Sequence, residues 1–270
     1  MALAFGLLPT NVSVLPSEFT FHIPDQNINE LQSLISTANL APKTWYEEHT
    51  DDGSYGISRD WLIEAKNLWI GDFDWRDQER KINSYPNYKI NLTDSEGGDI
   101  ELHFAALFSQ KDDAVPVIFL HGWPSSFLEF FPFMDLVSEK YTPDSLPYHV
   151  IVPSIPSYGL SSDLSSDVQT TYPIVGRVMN SLMTSLGFDS YVAQAGDFGS
   201  LVAQQMCYDH EACKAFHPWD SPFDYWTGHV NKPGRLVSMS HENGGHFAAF
   251  EQPQEFLQDV EEFLSKVEGL

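Results

Sequence analysis

Apolar and polar positions alternate along this chain in two different rhythms. In the first part of the chain the rhythm is helical. Leu31, Leu34, Ile35 and Ala38 share one face of a predicted helix that Pro42 stops. Trp61, Leu62, Ala65, Leu68 and Trp69 share one face of a second helix, and these tryptophans are expected to be core or packing residues rather than a ligand cage. "YKINLTD" and "DIELHFAALFS" alternate with period two on either side of Glu96-Gly97-Gly98, which predicts a hairpin. From Ala114 onward the texture changes. Short, continuous apolar runs ("AVPVIFL", "YHVIVP", "DSYVAQ", "ACKAFH", "GRLVSMS") read as buried strands. Helical stretches separate several of them. One carries Val175, Met179, Leu182, Met183 and Leu186 inward, with Gly187 as its stop. Another closes the chain with Phe256, Val260, Phe263, Leu264 and Val267. Strands alternating with helices predict an α/β fold with a mostly parallel sheet. The change of texture predicts an N-terminal domain over 1–110 and a second domain over 111–270.

Composition narrows the function. The chain has 270 residues, ample for a buried core, and its 14 Lys+Arg against 38 Asp+Glu give a formal charge of −24. Such a field opposes nucleic acids and anionic membrane surfaces and favours neutral or cationic small molecules. Cys207 and Cys213 match no zinc spacing and make no disulfide framework, which points to a reducing, cytoplasmic setting. The apolar start "MALAFGLLPT" is too short to span a bilayer and lacks the basic start of a secretion signal.

Three short pieces carry candidate chemistry. "AQAGDFGS" joins a predicted strand to a predicted helix and has the form of the G-x-S-x-G nucleophile turn, with Asp197 in place of the serine. "LHGWPSS" follows another strand, where its backbone can point N–H groups into a cavity at the carboxyl edge of the sheet. "HENGGHFAAF" sets His246 after two glycines, which let the backbone bend toward that edge. Each alone is a weak signal. Their order and strand contexts together are the signal.

These stretches, with "DWRDQERKINSYPNYKINL" and "IELHFAALFS", resemble the epoxide hydrolases of the microsomal type in their soluble fungal form. The resemblance implies an α/β-hydrolase fold with an N-terminal epoxide-hydrolase extension. It implies no cofactor and no metal. The partner would be a small-molecule epoxide, and a homodimer is compatible with it, in detoxification or secondary metabolism. It casts Asp197 as nucleophile and His246 as general base, with the N–H groups of Trp123 and Phe198 as oxyanion hole. His121, Gly122 and Pro124 would line the substrate pocket. An ionised carboxylate opens a strained ring at saturated carbon and leaves an ester that water cleaves.

Asp220 in "HPWD" is the candidate acid behind His246, against the plain reading of a helix cap; Asp224 and Glu242 are the alternatives. The helical cap that such enzymes insert between the nucleophile and the histidine is expected to be absent or vestigial, since "PWDSPFDYWTGHVNKP" alone fills that place. Tyr225 is then the candidate proton donor, with Tyr158 a second whose expected job is packing. Two other readings remain. One is an inactive relative that binds a ligand or a partner. The other is a haloalkane dehalogenase, which would want Trp where Phe198 stands.

Overall fold

The computed structural model describes residues 2–49, 56–219, 241 and 243–267. They fall into two compact units, residues 20–83 and the remainder.

The larger unit is built on a seven-stranded mixed sheet in the order β1-β2-β3-β5-β4-β6-β7. The strands are β1 (Ser17–Glu18), β2 (Asn87–Asp94), β3 (Gly98–Leu107), β4 (Val115–Leu120), β5 (Tyr148–Pro153), β6 (Tyr191–Ala195) and β7 (Cys213–Pro218). Pairings from β1 through β5 are antiparallel, and those from β5 through β7 are parallel. The helices of this unit are α5 (Phe131–Lys140), α6 (Tyr172–Ser185), α7 (Asp197–Asp209), α8 (Ala248–Glu251) and α9 (Pro253–Lys266). Alternation along β4 sorts them onto two faces. Ile118 and Leu120 enter a core with Val175, Met179, Leu182, Val202 and Met206 of α6 and α7. Phe119 points the other way, with ring centroids 4.9 Å from Phe133 of α5 and 6.3 Å from Phe256 of α9.

The predicted hairpin forms. Asp94 accepts hydrogen bonds from the N–H groups of Glu96 and Gly97, and Gly98 turns at φ 80°. Gly187 ends α6 at φ 87°, where a Cβ would lie 2.5 Å from the Asn11 carbonyl oxygen. The break expected near residue 110 is not where the compact units divide. β3 is hydrogen-bonded to β5, so the hairpin extends the sheet of the larger unit. The expected strand at 234–240 lies outside the described residues.

The smaller unit holds α1 (Asp25–Thr37), α2 (Trp45–His49), α3 (Arg59–Gly71) and α4 (Trp75–Ile82). Ser58 caps α3 by accepting from the Trp61 N–H, and Asp74 caps α4 by accepting from the Arg76 N–H. The expected core role of the α3 tryptophans fails: Trp61 is 53% exposed and Trp69 40%, with Leu68 beside them also exposed. Periodicity marks a helix face as apolar but does not say that anything covers it.

The cysteines also depart from expectation. Cys207 in the last turns of α7 and Cys213 at the start of β7 form a disulfide. The α7–β7 turn folds back on itself and brings the two side chains together. The argument for a reducing compartment from cysteine usage therefore falls. No helix among the described residues is long and apolar enough to cross a membrane.

Candidate active site

β6 ends at Ala195 and α7 begins at Asp197, with Gly196 between them. Asp197 stands at φ 48°, a left-handed conformation that costs an L-residue roughly 1–2 kcal/mol. The turn admits no side chain at its glycines. A Cβ on Gly196 would sit 2.2 Å from the Trp219 ring, and one on Gly199 would sit 2.4 Å from the Leu120 carbonyl oxygen. Ser200 Oγ–H donates to the Ala195 carbonyl at 3.0 Å and closes the turn. The carboxylate thus lies at the N-terminus of α7, where the helix dipole favours negative charge.

The turn after β4 meets it. The Trp123 N–H donates to Asp197 Oδ1 at 2.7 Å. Gly122 makes that approach possible, since a Cβ there would lie 2.3 Å from the same oxygen. His121 is fully buried rather than a wall of an open pocket. Its Nε2 accepts from the Ile155 N–H at 3.1 Å, so its proton is on Nδ1, directed at the Gly122 carbonyl 3.3 Å away. Burial lowers its pKa to about 4, so the ring is neutral and acts as a brace between two loops. The Phe198 N–H belongs to the first turn of α7, where a helix supplies no acceptor of its own.

His246 comes to the same place from the far end of the chain. Its Nε2 is 3.2 Å from the Trp123 carbonyl oxygen, while its own carbonyl accepts from Trp219 Nε1–H at 3.4 Å. The Trp123 residue therefore holds Asp197 by its N–H and His246 by its carbonyl. Trp219 roofs the turn, with its ring 5.9 Å from Phe130 and 5.3 Å from Phe256. Pro124 lines a cavity of about 360 Å³ with Ser125, Ser126, Leu128, Phe247 and Phe250. Asp220, Asp224, Tyr225 and Glu242 lie outside the described residues.

Tyr158 and Tyr172 are the neighbours that sequence reasoning undervalued. Their rings stand 6.2 Å and 5.1 Å from Phe198, beside the Asp197 turn. Both are far from Asp197 along the chain, and no local pattern signals the approach.

Residues 16–130 match the family described as the epoxide hydrolase N terminus, and residues 115–226 match the α/β hydrolase fold. The two spans join within β4 and the loop that bears Trp123. The chain belongs to the epoxide hydrolase family. A Dothistroma septosporum protein provisionally named an epoxide hydrolase is 44% identical over 214 residues, covering 79% of this chain and 51% of that protein. Epoxide hydrolase 1 of Sus scrofa is 32% identical over 195 residues, covering 70% and 41%. The chain thus spans about half the length of the curated relatives it matches. Among solved structures, the Aspergillus niger epoxide hydrolase superposes with TM-score 0.74 at 35% identity, over 97% of this chain and 63% of that one. An enantioselective mutant of the epoxide hydrolase from the same organism gives TM-score 0.83 at 28% identity, over 97% and 99%.

Proposed function

We propose that this chain hydrolyses an epoxide to a vicinal diol through an ester on Asp197. A carboxylate oxygen attacks a ring carbon, the C–O bond breaks, and the ring oxygen leaves as an alkoxide that takes a proton. His246 then removes a proton from water, and the hydroxide adds to the ester carbonyl carbon. The Trp123 and Phe198 N–H groups receive the negative oxygen. Collapse releases the diol and restores the carboxylate, and the His246 imidazolium gives its proton back to solvent, which balances the proton taken by the ring oxygen. The observation that carries this reading is the 2.7 Å bond from the Trp123 N–H to Asp197 Oδ1, at a strained turn on a helix N-terminus. The same N–H stands ready for the oxygen that becomes anionic in the second step.

His246 in this arrangement hydrogen-bonds the Trp123 carbonyl, so it must swing off that acceptor to reach a water. Its acid partner falls to Asp220, and Tyr225 is the sequence candidate for proton delivery. A cytoplasmic location and a homodimer belong to the same reading, and cell fractionation and light scattering test them.

The reading is tested by diol formation from an aryl epoxide, with wild type beside Asp197→Ala and both shown to be folded. Wild type is expected to form diol and Asp197→Ala to match the blank. Equal diol from both proteins would remove Asp197 from the reaction.

A further inference from the structure

His246 must move during the proposed reaction, yet the loop that carries it is not held by burial. Asn243, Gly244, Gly245 and His246 are all exposed, and the two glycines have no side chain to pack. Gly244 stands at φ 117°, a turn open to glycine. Behind the loop is a cavity of about 250 Å³, bounded by His217 of β7 and by Glu255 and Asp259 of α9. Polar contacts on the two sides of His246 therefore set its place. On the C-terminal side, the Phe247 N–H donates to Glu251 Oε1 at 3.0 Å. On the N-terminal side stands His241. Its Nε2–H donates to Asp259 Oδ2 at 2.7 Å, and its Nδ1 lies 3.5 Å from Glu255 Oε2. Glu255 and Asp259 are one helical turn apart, so α9 offers both carboxylates to one ring.

We propose that His241 is a positioning residue for His246: clasped by Asp259 and Glu255 of α9, it anchors the loop on which His246 swings, and it sets the rate of ester hydrolysis without touching substrate. The proposal rests on the epoxide reading above, with His246 as the base. The neighbourhood leaves this task to His241. Glu255 Oε2 is buried with no hydrogen-bond partner among the described residues, and a buried carboxylate oxygen needs a donor or a positive charge beside it. No lysine or arginine is among the described residues that line the cavity. His217 cannot serve. Burial lowers its pKa to about 4, so it is neutral, and its Nδ1–H is given to Gln194 Oε1 at 2.9 Å. The pairing is felt by its partner too: burial raises the Asp259 pKa above its ordinary value, and the His241 hydrogen bond opposes that rise. A base that must leave the Trp123 carbonyl and find a water needs a fixed pivot, and the clasp supplies one end of it. Ring opening by Asp197 needs no movement of His246, so the first half-reaction does not draw on the clasp.

The test separates the two half-reactions. Single-turnover mixing with an aryl epoxide, followed by intact-protein mass spectrometry, gives the rates of ester formation and ester loss. His241→Phe keeps a ring and loses both nitrogens. Asp259→Leu removes the acceptor and carries the same test if His241→Phe folds poorly. Each is expected to slow ester loss by about 10–10²-fold, the scale of a base displaced by about 1 Å, with ester formation unchanged. The double variant should be no slower than either single one, since both break the same contact. His241→Arg keeps donors for both carboxylates and should recover most of the rate. Wild-type ester loss in His241→Phe would overturn the proposal, as would an equal fall in both half-reactions or effects of the two substitutions that multiply. If wild type forms neither ester nor diol, the epoxide reading falls, and amide hydrogen exchange over residues 243–250 decides the anchor by itself. Faster exchange in His241→Phe than in wild type or His241→Arg would uphold the clasp, and equal exchange in all three would remove it.

Discussion

At the residue scale, the site depends on places where only hydrogen fits. Gly199 is one: its missing Cβ would meet the carbonyl oxygens of Leu120 and His121 at 2.4 Å and 2.6 Å, and backbone cannot step aside as a side chain can. Gly199→Ala is therefore expected to destabilise the fold by about 1–3 kcal/mol, seen as a lower melting temperature. It should also push Asp197 away from the Trp123 N–H and depress diol formation. An alanine variant with wild-type melting would show that the turn is looser than these distances imply. The turn itself is legible in the sequence because its meaning is local: small residues around an acid, between a strand and a helix. Tyr158 is not legible in that way. Its approach to Phe198 comes from the return of a loop that Ser161 ties to His103, which is remote in the chain. His121 is half legible, since its position after a strand is plain while its burial and its bond to Ile155 are not.

At the element scale, the β2–β3 hairpin is fastened to α6 by one guanidinium. Arg177 donates through Nε and Nη2 to the two oxygens of Asp94 at 2.9 Å and 3.0 Å, and also reaches Glu96 at 2.9 Å. The Arg177 hydrogen bond outweighs desolvation and holds Asp94 at about 2, against about 3.9 in an unfolded chain. A depressed carboxylate contributes stability above its unfolded pKa and loses it as pH falls toward the folded one. The pair should therefore stabilise by up to about 2 kcal/mol at neutral pH and progressively less between about pH 4 and pH 2. Urea unfolding of Arg177→Met beside wild type checks this. The gap between them should be wide at pH 7 and close on acidification, and a gap independent of pH would refute it. The hairpin and the inward face of α6 were readable from alternation and helical spacing. The exposed face of α3 was not, because a stripe of Trp61, Leu68 and Trp69 has the same periodicity whether or not it is covered.

At the scale of the whole molecule, the α/β class followed from strands alternating with helices. The unit boundary did not, because edge pairing of β3 with β5 is a long-range hydrogen-bonding choice that no local composition records. Two turns at one edge of the sheet meet through Trp123, whose N–H holds Asp197, and His246 reaches the carbonyl of the same residue. The central claim is that Asp197 becomes an ester and that water attacks the ester carbonyl rather than the epoxide. One single turnover in ¹⁸O-water, with protein in excess over epoxide, tests it most directly. The account predicts that the first diol carries ordinary oxygen taken from Asp197, while the peptide containing Asp197 gains one ¹⁸O by mass. Diol labelled with ¹⁸O in the first turnover, beside an unlabelled Asp197 peptide, would contradict it, since water would then have opened the ring without the ester.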